Sequence, residues 1–170
     1  MKSPRIQKSA LQCVSSWSNM KLLVAVLTCQ QNLARANAQR LTWAKNPACD
    51  VRFFLGARGL DREPGPDEVF LDVDDTYEAL PLKLKLALSW SHAHGYTHTA
   101  KTDDDVFLAT DRLIKSGCDA FDYWGRVRGA SGGYMAPYCS GFLYVLSAKA
   151  AVVIMNATHN GDLAEDRFVG

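Results

Sequence analysis

Tyr96-Thr97-His98-Thr99-Ala100-Lys101-Thr102-Asp103-Asp104-Asp105-Val106-Phe107-Leu108 decides how this chain is read. Tyr96–Lys101 has the pattern of a short strand, and it runs straight into three consecutive carboxylates. Like charges at adjacent positions repel unless they are solvated or neutralised by a cation. Oxygen donors of this kind suit hard divalent ions, which readily share their shell with phosphates. The competing reading is a solvated acidic turn or a helix N-terminus, where aspartates favour the dipole. The apolar strand before the triplet and Val106-Phe107-Leu108 after it place the carboxylates at the edge of a core, where a sheet-based site lies.

Outward from the triplet, the chain alternates strands and helices. Lys21–Cys29 (KLLVAVLTC) is a leucine-rich and β-branched run of buried-strand type. Asn32 to Lys45 reads as a helix stopped by Asn46-Pro47, and Val51–Gly56 as a second buried strand. A turn-rich loop with Gly59, Pro64, Gly65 and Pro66 leads to a short strand candidate at Glu68–Leu71. Asp74 to His94 carries apolar residues near helical spacing. Beyond the triplet come a helix over Ala109–Ser116, strands over Phe121–Val127 and Phe142–Leu146, and a helix over Ala148–Asn156. The order predicts an α/β protein, three-layer α/β/α with a mostly parallel sheet. Ligands of such sheets bind outside the carboxyl ends of the strands.

The chain has 170 residues, enough for a single core. Residues 1–20 are expected to form a poorly ordered polar leader and residues 21–170 one domain. Nineteen basic residues against eighteen acidic ones are spread along the chain, so no basic block points to nucleic acid. The longest apolar run, Leu22 to Leu27, is six residues, far below the roughly 20 of a membrane span. The five cysteines (Cys13, Cys29, Cys49, Cys118, Cys139) show no zinc-ligand spacing and read either as free thiols or as one or two disulfides. Asn156-Ala157-Thr158 is an N-glycosylation triplet. No phosphate-cradling GxxxxGK[ST] loop is present, which argues against a phosphohydrolase built on the acidic cluster.

The segment KTDDDVFL resembles the aspartate motif of glycosyltransferase family 31, the β-1,3-galactosyltransferase and N-acetylglucosaminyltransferase family. Other segments resemble that family in the same order. They are Arg35–Trp43 (RANAQRLTW), Phe53–Gly56 (FFLG), Asp75–Lys83 (DTYEALPLK), Tyr138–Ser147 (YCSGFLYVLS) and Glu165–Gly170 (EDRFVG). Some positions depart from the family pattern: Ala36 stands for an arginine, Gln39 for an aliphatic residue, Phe142-Leu143 for smaller residues and Arg167 for a valine. The pattern also implies a histidine segment beyond Gly170, so the domain is expected to be truncated at its C-terminus.

The resemblance implies a nucleotide-diphospho-sugar transferase fold of the GT-A type. It also implies an inverting enzyme that moves galactose or N-acetylglucosamine from a UDP-sugar to a glycan or glycoprotein acceptor in β-1,3 linkage. Manganese or magnesium would stabilise the departing diphosphate. On that pattern Asp105 ligates the metal, with Asp103 beside it. Thr28, Arg35, Arg40, Lys101, Asp103, Asp104 and Gly141 serve the nucleotide-sugar. Asp166 is the candidate base for the acceptor hydroxyl, with Glu165 as the runner-up; an acidic pair at a helix N-terminus is the plainer reading of these two. Lys83 and Trp90 are open between ligand contacts and packing. The family implies the Golgi lumen, with a membrane anchor that this sequence does not show. The alternative is a non-catalytic relative acting as a chaperone or binding module.

Overall fold

A computed structural model of the protein describes residues 20–129 and 137–158, together with Glu165 and Val169. Six strands form one sheet: β1 (Leu22–Leu27), β2 (Asp50–Gly56), β3 (Glu68–Leu71), β4 (His98–Asp103), β5 (Tyr123–Arg128) and β6 (Tyr138–Ser147), in the order β3-β2-β1-β4-β6-β5. β1, β2, β3 and β4 are parallel, whereas β6 runs antiparallel to both β4 and β5. Among the described residues, four α-helices, α1 (Leu33–Leu41), α2 (Leu80–Ala93), α3 (Thr110–Ile114) and α4 (Ala148–Asn156), cover the two faces.

β1 explains the layering. Every one of its residues is buried, as expected of a strand covered on both sides. Leu23, Ala25 and Leu27 pack with Leu84, Ala87 and Leu88 of α2 and with Ala151 and Ile154 of α4. Leu22, Val24 and Val26 face the opposite way, toward Ala36, Trp43 and Leu113 on the side of α1 and α3. The three-layer α/β arrangement expected from the sequence is therefore present. Among the described residues, no helix is long and apolar enough to cross a membrane.

The boundaries differ from the sequence reading at places where a side chain is pulled into a tertiary contact. α1 ends at Leu41 rather than Lys45, because Trp43 turns inward and donates from Nε1 to the Val106 carbonyl at 3.1 Å. α2 begins at Leu80 rather than Asp74, with Pro81 in its first turn. The residues ahead of it are held by Asp75, whose carboxylate accepts from Gln30 N at 2.6 Å and Gly56 N at 3.0 Å. β4 runs on to Asp103, which lies in register with Leu27 of β1. β6 extends back to Tyr138, because Tyr138 and Cys139 pair with Arg128 and Val127 of β5.

The order of the parallel strands locates the binding crevice. The chain passes outward from β1 to β2 and β3, then returns to place β4 on the other side of β1. The carboxyl ends of β1 and β4 thus flank a topological switch point, where open α/β sheets bind ligands.

Candidate functional site

Thr28 follows β1 and the aspartate triplet closes β4, so the Leu27–Asp103 register brings them side by side. Thr28 Oγ1 donates to Asp104 Oδ2 at 2.9 Å. Arg35 of α1 approaches the same carboxylate at 3.4 Å and Asp105 at 4.0 Å. Asp104 is nearly buried, whereas the Asp105 side chain is 64% exposed. Thr28 and all three aspartates line an open cavity of ≈ 560 Å³, together with Leu27, Cys29, Gln31, Asn32, Asp75, Thr76, Tyr77, Leu80 and Lys83. That volume lies within the range of ligand pockets.

A buried cation organises the β4 side of the site. Lys101 is 3% exposed, and its Nζ reaches Asp103 Oδ1 at 2.8 Å, Glu165 Oε2 at 2.8 Å and the Gly141 carbonyl at 2.7 Å. Burial works against the ammonium, but Glu165 and Asp103 outweigh it and raise its pKa, so it stays charged. The Tyr144 hydroxyl donates to the other oxygen of Glu165. Burial pushes the Glu165 carboxyl up, and the Lys101 ammonium only partly opposes this. Asp103 is also pushed up, first by burial and then by its neighbours Asp105 and Asp104, against the pull of Lys101.

A second buried lysine supports the β1 side. Lys83 of α2 pairs with Asp75 and donates to the Thr28 carbonyl at 2.9 Å. Gly56 lets the chain pass close by: a Cβ there would lie 2.6 Å from the Val73 carbonyl oxygen.

On the α1 side, Gln39 Nε2 donates to the carbonyls of Asp103 at 3.1 Å and Val106 at 2.8 Å, spanning the triplet's turn. Its Oε1 is buried without a partner. An unmatched buried acceptor costs on the order of 1–3 kcal/mol.

The structure thus gathers Thr28, Arg35, Asp103, Asp104 and Asp105, with Lys101 and Gly141 directly behind them. Arg40 is directed elsewhere, to Asp67 at 2.8 Å and Glu68 at 3.1 Å, with its guanidinium over Phe53. Glu165 is enclosed by Lys101 and Tyr144 and does not line the cavity. Asp166 and the Arg167 departure lie outside the described residues. Lys83 lines the cavity, whereas Trp90 packs away from it. Lys83 is a buried ion-pair partner, and Trp90 meets Phe54 edge to face and stacks on His94. Asp75, Gln39 and Tyr144 are site-building residues to which the sequence reading assigned no role. Their partners lie 8 to 67 positions away, and no local spacing announces them.

Among the described residues, no group of three or more His, Cys, Asp or Glu side chains is arranged to hold a metal ion alone. The four described cysteines, Cys29, Cys49, Cys118 and Cys139, are free thiols, and Cys13 lies outside the described residues. Burial pushes the Cys49 thiol up to about 12.

A family model described as Galactosyltransferase matches residues 35–119, half of the 170-residue chain. The matched segment holds Arg35, Gln39, Asp75, Lys83, Lys101 and the whole triplet. Among curated proteins, none matches the chain.

Proposed function

The chain belongs to the galactosyltransferase family, and from that premise we propose that it is an inverting, metal-dependent transferase of the GT-A type. It moves galactose or N-acetylglucosamine from a UDP-sugar to a hydroxyl of a glycan or glycoprotein, in β-1,3 linkage, in the Golgi lumen. The observation that carries this reading is the triplet's position. Three carboxylates line one cavity at the switch point between β1 and β4, inside the segment that matches the family.

A divalent ion fits this donor set when the substrate completes its shell. Hard ions of the magnesium type are commonly held by one or two carboxylates plus phosphate oxygens. Asp105 and Asp103 would hold it, and when bound it would supply charge stabilisation for the departing diphosphate. The raised pKa of Asp103, caused by burial and neighbouring aspartates, is the condition that an added cation relieves.

The remaining work belongs to the chain's own groups. Asp104 is oriented by Thr28 and Arg35, so its carboxylate is a fixed acceptor for donor hydroxyls or metal-bound water. Arg35, more than half exposed beside Asp104 and Asp105, presents a guanidinium whose geometry suits an incoming phosphate. Arg40, already paired with Asp67 and Glu68, is assigned to holding α1 against β3. Lys101 keeps Asp103 in place, while Glu165, tied to Lys101 and Tyr144, acts as an anchor and Asp166 as the base.

The test is a panel of UDP-sugars assayed for UDP release with and without manganese. Turnover that needs manganese and is lost in a folded Asp105→Ala protein is the expected result. If no UDP-sugar is turned over or shifts the melting temperature, the non-catalytic binding reading replaces this one.

A further inference from the structure

The loop from Asp103 to Ala109 carries two of the three aspartates beyond the end of β4, yet it has little backbone support of its own. Within it, Val106 N reaches the Asp103 carbonyl at 3.4 Å, a long contact. Its outward side chains, Asp105 and Phe107, are exposed. Asp104 and Leu108 are buried, but the turn between them has few satisfied backbone groups of its own, and local stability follows from buried contacts and satisfied backbone groups.

Gln39 supplies the missing support. It is buried on α1, and one amide nitrogen donates both its hydrogens: to the Asp103 carbonyl at 3.1 Å and the Val106 carbonyl at 2.8 Å. These two carbonyls bracket Asp104 and Asp105. The amide has one acceptable orientation, because the reverse would set its oxygen against two other oxygens. In that orientation Oε1 has no partner, so the residue keeps an unfavourable acceptor in order to present two donors.

We propose that Gln39 is a positioning residue, a clasp that fixes the Asp104-Asp105 turn for donor binding and transfer. This rests on the transferase reading above. It acts through the loop's carbonyls and touches no reacting atom. Trp43 Nε1 shares the Val106 carbonyl at 3.1 Å and keeps the loop attached when the clasp is removed.

The experiment compares the full chain with Gln39→Leu, which preserves apolar volume and deletes both the donors and the orphan acceptor. Three quantities are read: the melting temperature, hydrogen exchange of the amides of residues 104–108, and kcat and KM for UDP-galactose and UDP-N-acetylglucosamine with manganese. The expected result is a melting temperature within about 3 °C, because the lost bonds and the relieved acceptor offset each other. Loop exchange should rise about tenfold while β4 keeps its protection. The kcat should fall about ten- to hundredfold, with a smaller change in KM, as expected when reacting groups lose their alignment.

Unchanged loop exchange or unchanged kcat would overturn the clasp. So would a large fall in melting temperature with faster exchange throughout α1 and β4, which would mark Gln39 as an ordinary core residue. If the wild-type chain turns over no UDP-sugar, the transferase reading fails and the clasp in its catalytic sense fails with it. The exchange data then still decide whether Gln39 holds the loop.

Discussion

Lys101 shows how one side chain joins distant parts of the chain. Its buried ammonium reaches oxygens of Asp103, Gly141 and Glu165. Removing one member of such a buried pair leaves the other charge uncompensated, at about 3–5 kcal/mol. Lys101→Met is therefore expected to lose about that much stability in urea unfolding, and more than the double variant Lys101→Met, Glu165→Leu. A smaller loss in the single variant would show that the lysine is not holding the two segments. Gly56 is the other demanding position. Gly56→Ala places a methyl 2.6 Å from one backbone oxygen and 2.9 Å from the next residue, atoms that cannot swing aside. Overpacking of this kind costs about 1–3 kcal/mol, read from the denaturant midpoint. The carboxylate triplet and its lysine stand out in the sequence because they are contiguous. Asp75, Gln39 and Tyr144 do not, because their partners are brought in by the folded chain. Gln39 is marked in the sequence only as a departure from an aliphatic pattern.

The elements depend on contacts at their ends as much as on propensity. α4 is capped by Ser147, whose Oγ accepts from Ala150 N at 3.2 Å and donates to Asp122 at 2.6 Å. Ser147→Ala removes an N-cap, an effect of about 1 kcal/mol in thermal or denaturant unfolding. β4 starts at His98, and burial lowers the pKa of its imidazole below the usual 6.5, against the pull of Asp119 and Asp122. The unfolded chain then binds the proton more readily than the folded one, so stability falls as pH drops below about 6.5. His98→Gln should flatten the stability–pH profile below about pH 6.5; an unaltered profile would remove His98 as its source. The cores of α1, α2, β1 and β4 are legible from apolar runs. Their ends are not, because Trp43 and Asp75 leave their local positions for partners tens of residues away.

For the molecule as a whole, ligand binding couples the two halves of the site to stability. A ligand held only by the folded chain stabilises it in proportion to its occupancy, by about 2.7 kcal/mol at a hundred times its dissociation constant. Manganese and UDP together should raise the melting temperature more than the sum of each alone, since on the proposed reading each completes the other's shell. Purely additive shifts would argue against a shared site. The aspartates close β4 and Thr28 follows β1, so this coupling acts across the centre of the sheet. The sequence by itself determined the alternation of strands and helices, the buried character of β1 and the acidic end of β4, because these are local patterns of apolarity and charge. Only the tertiary structure decided which carboxylate is buried, which is exposed, and that Arg40 is held by Asp67 and Glu68 on β3's side. Those outcomes depend on strand order and register, which place residues 27 to 76 positions apart within hydrogen-bonding distance.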